Sequence, residues 1–283
     1  MSATLIDGKA IAKTIREEIT KDVEMLKAKG INPKMSVILV GEDPASIAYA
    51  RSKGKAAEKL GIGFDFYEKA STTSEADLLA LIASLNNDKN VHGIMIELPL
   101  PKHISKEIVM AAVSPVKDVD GVHPINRGYI LSGEEGLFPA TPESCIEIML
   151  RSGVEIAGKR AVIVGRGETV GKPLVFLLLK YNPTITICHS RTKDLPAAVR
   201  EGDIVIAAVG KAKMITADMI KPGAIVIDAG INELEDGSLC GDVDFENVKE
   251  VAGMISPVPG GVGSLTTALI FKNLLKAISL QNK

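Results

Sequence analysis

An aromatic ring and an amine are spaced so that a single helix would bring them together. In the segment DPASIAYARSKGKAAEKLG, Tyr49 and Lys53 are four residues apart, so both side chains lie on the same face of a helix. Tyr49 could stack on a flat substrate, and Lys53 could take part in acid–base chemistry. The alternative is an ordinary exposed helix face, because most lysines are solvated.

Two further segments place carboxylates where they could join such a pair. In HGIMIELPLP, Glu97 stands between an apolar strand-like run and a proline-rich stop, so it is either a polar strand end or part of a reaction centre. The segment KDVDG carries Asp118 and Asp120 just before a turn. There the alternative is that both carboxylates cap the turn through hydrogen bonds to the backbone.

A glycine-rich turn in the second half predicts a nucleotide site. VIVGRGETVG is a strand pattern that runs into Gly165, Arg166 and Gly167, with Gly171 at the start of a helix. Glycines let backbone N–H groups approach a pyrophosphate, and the helix N-terminus favours its charge. The spacing is one residue longer than the usual fingerprint, and glycines also mark plain strand-to-helix turns. The flanking strand and helix favour the nucleotide site.

The strand after this turn predicts which nucleotide is bound. An NAD site usually ends this strand with an acidic residue that holds the ribose 2′-hydroxyl. Here the strand TITIC is followed by His189, Ser190 and Arg191. A hydroxyl and a guanidinium suit a 2′-phosphate, so the sequence predicts NADP. The alternative is that Arg191 is a solvated loop residue.

Alternating strand and helix patterns must position these groups. Apolar periodicity and capping residues predict helices at 5–29, 44–60 and 75–85 and strands at 35–41, 64–68 and 91–98. The strand with Glu97 is expected to be central, and residues 114–128 are expected to be rich in turns. Thr141 is expected to cap a helix to Leu150, and four short apolar strands follow. The pattern predicts an α/β protein with an N-terminal α/β substrate domain and a Rossmann-type, doubly wound NADP-binding domain.

The loop PVPGGVG, residues 257–263, is too rich in proline and glycine for the interior of a helix or strand. It is either a rigid loop that lines a cleft or a simple hinge. An apolar helix, 265–280, is expected to follow it.

Composition narrows the class of protein. The 283 residues are 46% hydrophobic with a net charge of -2, which favours a soluble globular protein and a small-molecule ligand over nucleic acid or a membrane surface. Three separated cysteines indicate free thiols in a reducing cytoplasm, and four histidines without paired spacing predict no metal. No signal-peptide pattern or membrane-length apolar run is found.

Taken together, the motifs resemble the bifunctional methylenetetrahydrofolate dehydrogenase/methenyltetrahydrofolate cyclohydrolase family. The match follows nearly the whole chain, in order: VGEDPASIAYARSKGKAAEKLGI, ELPLP, KDVDG, PATP, VGRGETVGKP, CHSRT, GAIVIDAGIN, GDV and PVPGGVG. The resemblance implies a folate-binding catalytic domain, 1–140, completed by the C-terminal helix 264–283, and a Rossmann domain, 141–263. It also implies a homodimer with an active site in the cleft between the domains. The family oxidises 5,10-methylenetetrahydrofolate with NADP⁺ and hydrolyses the methenyl product to 10-formyltetrahydrofolate.

The resemblance also assigns roles to individual residues. Lys53 matches the catalytic lysine, Tyr49 packs against the folate, and Asp120 hydrogen-bonds the pterin. The remaining matches are cofactor positions at Gly165, Arg166, Gly167, Ser190 and Ile231, and a substrate-side loop at Pro259, Gly260 and Gly261.

Two positions depart from the family pattern. Serine, at Ser264, follows the last glycine of the loop where many members have proline, and it could cap the final helix. Glu97 stands where most members have glutamine. A carboxylate beside Lys53 would favour its ammonium form and weaken it as a base, so we expect a charge pair and reduced cyclohydrolase activity. The alternatives are that Glu97 is protonated, is itself the base, or stabilises the methenyl cation.

Two rival functions remain open from the sequence. Another two-domain NADP oxidoreductase, similar to shikimate dehydrogenase, would have the same domain order but gives no reason for KDVDG and PVPGGVG together. A non-catalytic nucleotide sensor would keep the fold without the chemistry, and the presence of Tyr49, Lys53 and Asp120 argues against it.

Overall fold

The chain divides into two compact units in the computed structural model, which describes residues 2–283. We name them by their sheets: the six-stranded unit is residues 2–14 and 141–266, and the three-stranded unit is residues 15–140 and 267–283. Each unit contains a parallel sheet and flanking helices, so the predicted α/β class is confirmed.

The three-stranded unit is built on strands in the order β3-β2-β4, all parallel. Their bounds are β2 (Lys34–Val40), β3 (Gly63–Lys69) and β4 (Gly93–Ile96). Four helices lie wholly within this unit: α2 (Pro44–Lys59), α3 (Glu75–Asn87), α4 (Lys106–Ala112) and α5 (Pro124–Ser132). The helices α1 (Gly8–Ala28), α6 (Ala140–Arg151) and α10 (Gly263–Gln281) contribute residues to each unit. β2 and β4 are almost completely buried, as their continuous apolar runs require.

The strand that precedes Glu97 is at an edge of this sheet, so the expectation that it is central was wrong. β2 is in the middle, and β4 has a strand on one side only. The backbone of the KDVDG segment covers its other side: the Ile94 N–H donates to the Lys117 carbonyl at 2.7 Å, and Ile94 bridges Asp118 in parallel. An edge strand needs such cover because its unpaired backbone groups would otherwise be buried without partners.

Residues 114–128, expected to form turns, include the start of helix α5. His123 caps this helix, since its Nδ1 accepts from the Ile125 N–H at 3.0 Å, and Pro124 is the first helical residue. Proline suits that position because the first helical N–H has no partner within the helix. Helix α6 begins one residue before its predicted cap: its first residue is Ala140, so Thr141 lies in its first turn.

The six-stranded unit has a fully parallel sheet in the order β1-β11-β8-β7-β5-β6. The strands are β1 (Thr4–Leu5), β5 (Arg160–Val164), β6 (Thr184–Cys188), β7 (Ile204–Ala207), β8 (Ile225–Asp228) and β11 (Met254–Ile255). Its helices are α7 (Gly171–Leu179), α8 (Leu195–Arg200), α9 (Phe245–Val248) and a 3-10 turn, Ala217–Met219. A small antiparallel ribbon joins β9 (Asn232–Glu233) to β10 (Leu239–Cys240).

Residues 2–14 belong to the six-stranded unit, to whose sheet they contribute β1, whereas the predicted boundary assigns them to the first domain. β1 pairs with β11, and the Ile6 N–H donates to the Ile255 carbonyl at 2.9 Å. A strand of two residues is too short to show a hydrophobic period, and its partner strand lies far along the chain, so the sequence pattern did not predict it. Over residues 2–283, no helix has the length and apolar character needed to cross a membrane.

Candidate functional site

Lys53 is buried within the three-stranded unit, so the exposed-face alternative is wrong for this side chain. It is 1% exposed on α2. That helix begins where predicted: Asp43 caps it by accepting from the Ser46 N–H at 2.8 Å, and Pro44 is its first residue. Gly54 allows α2 to lie close to β3, because a Cβ there would be 3.1 Å from the Phe64 ring. A buried lysine needs a charge partner.

Glu97 is that partner. It directly follows β4, and its N–H donates to the Ile38 carbonyl at 2.8 Å, so the pairing of β4 with β2 positions it. Lys53 Nζ donates to Glu97 Oε1 at 2.5 Å, and the two side chains are 1% and 8% exposed. Removing one member of such a pair leaves an uncompensated buried charge. The ion pair therefore gives the buried amine of Lys53 a carboxylate partner.

Tyr49 borders the ion pair and remains accessible. The Lys53 ammonium lies over the Tyr49 ring, 4.0 Å from its centroid, which is a favourable cation–π distance. Burial raises the pKa of Tyr49, and an interaction of its hydroxyl with Thr267 opposes that shift. The residue is still 47% exposed, so part of the ring is free to stack on a flat ligand.

The two aspartates of KDVDG have different environments. Asp118 accepts from the His123 N–H at 2.7 Å and from Asn126 Nδ2 at 2.9 Å, so turn capping describes it well. Asp120 instead interacts electrostatically with Lys53 and Glu97. Burial raises the pKa of Asp120 to about 6, and the neighbouring Asp118 adds to the shift while Lys53 opposes it. The structure therefore brings Tyr49, Lys53, Glu97 and Asp120 together.

A buried amide that the sequence reasoning missed holds the Asp120 loop in place. Asn273, on α10, donates from Nδ2 to the Val119 carbonyl at 3.0 Å and to the Phe138 carbonyl at 2.7 Å. Gly121 has a φ of +68°, and a Cβ there would overlap the backbone of Phe138. The available signal was an asparagine within the apolar run ALIFKNLL, since a buried amide needs partners.

In the six-stranded unit, the glycine-rich turn has the form that a pyrophosphate needs. Gly165 has a φ of +122°, and a Cβ there would overlap the Ala208 carbonyl. A Cβ at Gly171, the first residue of α7, would overlap the Gly165 carbonyl. By contrast, Gly167 is surrounded by open space. Two glycines are therefore required by packing, and the third leaves room before a helix N-terminus.

The predicted 2′-phosphate residues follow β6 at the next strand end. His189 and Thr192 form a tight turn: the His189 N–H donates to Thr192 Oγ1 at 2.9 Å, and the Arg191 N–H donates to His189 Nδ1 at 3.1 Å. The side chains of Ser190 and Arg191 are exposed beside this turn, as is that of Arg166 beside the glycines. An exposed cation and hydroxyl at this strand end can contact a phosphate.

A cavity of about 460 Å³ in the same unit collects the remaining predicted residues. Thr169, from the glycine-rich turn, lines it together with Ile231 and the loop residues Pro259, Gly260 and Gly261. Ile231 is 62% exposed although it is apolar, which suits contact with a ligand. The PVPGGVG loop thus lines a cavity within its own unit. Apolar concave sites of this size at strand ends are typical of ligand sites.

A larger cavity of about 870 Å³ lies near the amino ends of β2 and β3, with Lys34 and Gly63 in its wall. None of the predicted site residues lines it. Ligands of open parallel sheets bind at the carboxyl ends of the strands, so we do not assign the chemistry to this cavity. Among residues 2–283, no group of three or more His, Cys, Asp or Glu side chains is arranged to hold a metal ion.

A doubly wound sheet with a phosphate-binding turn, and a buried lysine–carboxylate centre beside an accessible tyrosine, define a two-domain nucleotide-dependent enzyme. Two family models match the chain: the tetrahydrofolate dehydrogenase/cyclohydrolase catalytic domain at residues 6–120, and the NAD(P)-binding domain of the same family at residues 139–282. The chain belongs to the tetrahydrofolate dehydrogenase/cyclohydrolase family.

Individual relatives cover almost the full length. The chain is 71% identical over 281 residues to Bifunctional protein FolD 2 of Desulfitobacterium hafniense, covering 99% of both chains. A crystal structure of the bifunctional enzyme FolD from Campylobacter jejuni has a TM-score of 0.96 at 43% identity, covering 99% of this chain and 100% of that one. The Trypanosoma brucei methylenetetrahydrofolate dehydrogenase-cyclohydrolase, complexed with NADP and an inhibitor, has a TM-score of 0.92 at 36% identity, covering 100% and 99%.

Proposed function

We propose that this protein oxidises 5,10-methylenetetrahydrofolate to the methenyl form with NADP⁺ and hydrolyses the product to 10-formyltetrahydrofolate. The observation that carries the proposal is the buried Lys53–Glu97 pair beside Tyr49 and Asp120, in a chain that matches both domains of the family. The relatives from D. hafniense and C. jejuni are both named bifunctional, and the second name specifies these two activities.

One spectrophotometric experiment tests the proposal. Purified protein is mixed with 5,10-methylenetetrahydrofolate and either NADP⁺ or NAD⁺, and NADPH or NADH formation is followed. Decay of added methenyltetrahydrofolate is then measured without cofactor. We expect oxidation with NADP⁺ and enzyme-dependent hydrolysis. Absence of both would instead support the non-catalytic nucleotide sensor.

The residues of the six-stranded unit fit a dinucleotide. The turn from Gly165 to Gly171 would hold the pyrophosphate, Ser190 and Arg191 the 2′-phosphate, and Ile231 would pack on the nicotinamide side. When bound, NADP⁺ supplies the hydride acceptor for the oxidation. If Arg191 reads the 2′-phosphate, Arg191→Ala should raise the KM for NADP⁺ and leave that for NAD⁺ unchanged. Arg200→Ala, an exposed arginine on α8, is the matched control.

The three-stranded unit would bind and orient the folate. Tyr49 offers an accessible ring face, and Asp120 can hydrogen-bond a pterin edge. Asp120 can also hold a proton near neutral pH, because burial raises its pKa to about 6. Pro259, Gly260 and Gly261 remain predicted substrate contacts on the strength of the family resemblance.

Oxidation and hydrolysis require different chemistry from Lys53. Oxidation depends chiefly on holding the reacting carbon of the folate in a near-attack geometry, which an ammonium ion can help to do. Hydrolysis requires activation of water and proton movement during ring opening, for which Lys53 must lose a proton. Because Lys53 Nζ donates to the Glu97 carboxylate, and a neighbouring carboxylate favours the charged form of an amine, we propose that hydrolysis is weak relative to oxidation in this enzyme.

Glu97→Gln tests this balance, since glutamine keeps the shape of the side chain and removes its charge. We expect the ratio of hydrolysis to oxidation to rise. An unchanged ratio would show that the charge pair does not limit hydrolysis, and a fall would indicate that Glu97 is itself the base. The control for loss of a charge is Glu68→Gln. Glu68 lies on β3 and forms an exposed ion pair with Arg51 of α2.

Assembly and location stay predictions. The family resemblance predicts a homodimer, which sedimentation analysis would test, and the isolated cysteines predict a reducing cytoplasm, which cell fractionation would test. Neither bears on the chemistry of the site.

A further inference from the structure

Two buried aspartates in the six-stranded unit have no role in the function described above. Asp228 is the last residue of β8 and is 3% exposed, and Asp242 follows β10 and is 0% exposed. Carboxylates this deeply buried are rare without a cation. The hydrogen-bond donors that stabilise these two carboxylates are almost all backbone N–H groups.

Asp242 holds the loop that follows β7. It accepts from three consecutive N–H groups, Val209 at 2.5 Å, Gly210 at 2.9 Å and Lys211 at 2.8 Å. A fourth bond comes from Asn232 Nδ2 at 2.9 Å, one residue after the cavity residue Ile231. The carboxylate thereby ties the segments after β7 and β8 to each other.

Asp228 continues the network toward the PVPGGVG loop. Its carboxylate accepts from the N–H groups of Gly230 at 2.9 Å, Asp242 at 3.0 Å and Val243 at 2.9 Å. Its own N–H donates to Ser256 Oγ at 2.8 Å, directly before the loop begins. Asp228 also lines the 460 Å³ cavity.

The fit between the two carboxylates is reciprocal. A Cβ at Gly230, beside Asp228 in sequence, would overlap the Asp242 carboxylate. A Cβ at Gly241, beside Asp242, would overlap the Asp228 carboxylate. Glycine is required at each site because the other aspartate occupies the space that a side chain would need.

Together these hydrogen bonds hold several of the chain segments that line the proposed dinucleotide site. The segment held by Asp242 begins next to Ala208, whose carbonyl packs on Gly165 of the phosphate-binding turn. The segments held by Asp228 carry Ile231 and lead into Pro257 of the loop. The network therefore links the predicted pyrophosphate turn to the cavity that would receive the nicotinamide end.

We propose that Asp242 and Asp228 are positioning residues for the dinucleotide, which set its affinity by holding three loop segments at the carboxyl ends of the strands in the binding geometry. This proposal rests on the proposed use of NADP⁺. Neither aspartate needs to touch the reacting atoms. Ordering these loops before the ligand arrives reduces the entropy lost on binding.

The test compares two Asp→Asn variants of the full-length protein. An asparagine at position 242 keeps the shape but offers one acceptor oxygen, with an NH₂ group facing N–H donors. Because hydrogen bonds to charged groups contribute about 1.5–3 kcal/mol, Asp242→Asn should weaken NADP⁺ binding by about tenfold or more. The KM for the folate should be unchanged, because Asp242 accepts no hydrogen bond from any predicted folate contact, including Pro259, Gly260 and Gly261 of its own unit.

Asp203→Asn is the matched control. Asp203 also accepts a backbone N–H, from Arg160 at 2.9 Å, but it directly precedes β7, at the opposite end of that strand. We expect NADP⁺ binding to be unaffected by this change. NADP⁺ affinity is measured by equilibrium calorimetry, so the result does not depend on turnover, and loss of turnover in the wild type would count against the proposed function alone.

Two results would overturn the proposal: wild-type affinity for NADP⁺ in Asp242→Asn, or an equal rise in the folate KM, which would indicate general destabilisation. If Asp242→Asn does not fold, Asn232→Ala removes one donor only. Reduced NADP⁺ affinity with an unchanged folate KM in that variant would support the proposal, and unchanged affinity would contradict it.

Discussion

Two clusters of buried carboxylates, one in each unit, solve the same electrostatic problem in different ways. Glu97 is paired with the ammonium group of Lys53, whereas Asp228 and Asp242 are surrounded by backbone N–H groups. Both clusters lie at the carboxyl ends of parallel strands. A side-chain partner can gain or lose a proton, but a backbone N–H cannot. The first arrangement suits acid–base chemistry, and the second suits the holding of loops.

The largest expected effect comes from removing the titratable partner of the first cluster. Lys53→Met should reduce methenyl hydrolysis by a factor of about 100 to 10,000, the usual contribution of general acid–base catalysis. It also leaves Glu97 buried without its partner, so stability should fall. The decay of added methenyltetrahydrofolate measures the hydrolysis rate, and urea unfolding measures the free energy of unfolding.

Lys55→Met is the control, because Lys55 is an exposed lysine on the same helix. Hydrolysis retained in Lys53→Met would remove the lysine from its assigned role. If Lys53→Met/Glu97→Gln recovers stability but not hydrolysis, the two roles of Lys53 are separable.

The second cluster should be sensitive to sterics rather than to proton transfer. In Gly241→Ala the new methyl would displace the Asp228 carboxylate from its N–H donors, and we expect a loss of about 2–3 kcal/mol in the free energy of unfolding. Gly128→Ala is the control, since its Cβ meets nothing within 4 Å and it lies in helix α5. Equal stability of the two variants would contradict the reciprocal fit.

The pH dependence of stability should separate the two clusters further. Burial raises the pKa of both Asp120 and Asp228 to about 6. Between pH 4 and 6 the folded state therefore binds more protons than the unfolded state, so the contribution of each group to stability falls as pH rises through that window and is constant above it. Asp242 and Cys145 are the titratable groups facing Asp228.

Asn substitutions should then act in opposite directions. Asp120→Asn should stabilise the protein at pH 7.5 by on the order of 1–2 kcal/mol, with the gain shrinking toward pH 4.5. Asp228→Asn should destabilise the protein at pH 7.5, because three N–H donors lose a charged acceptor, and the loss should shrink toward pH 4.5, where the carboxyl of Asp228 is protonated. Urea unfolding at the two pH values measures both. A gain for Asp228→Asn at pH 7.5 would show that charge, not loop holding, dominates there.

The smallest effect tests the aromatic side of the first cluster. Tyr49→Phe keeps the ring under Lys53 Nζ and removes only the hydroxyl, with its interaction with Thr267. We expect a loss of about 0.5–1.5 kcal/mol in the free energy of unfolding, with folate still bound. Tyr129→Phe, on α5, is the control. A large loss of folate affinity would instead show that the hydroxyl contacts the substrate.

Patterns in the sequence predict the local structure and most of the proposed chemistry. Period and capping residues predicted α2 and the strand before Glu97, because those signals lie within a few residues of each other. The glycine-rich turn could be predicted for the same reason, since the positive φ of Gly165 is a property of the local backbone that favours glycine. The spacing of Tyr49 and Lys53 on one helix also follows from the helical repeat alone.

Which of these groups meet depends on contacts between distant segments of the folded chain. β4 is an edge strand, and the KDVDG backbone covers its free side, which brings Asp120 into range of Lys53. Asp228 and Asp242 meet through loops from separate strands, and no local pattern marks either of them as buried. Contacts between distant segments depend on strand order and on which edge is left open, and neither is encoded in the periodicity of one segment.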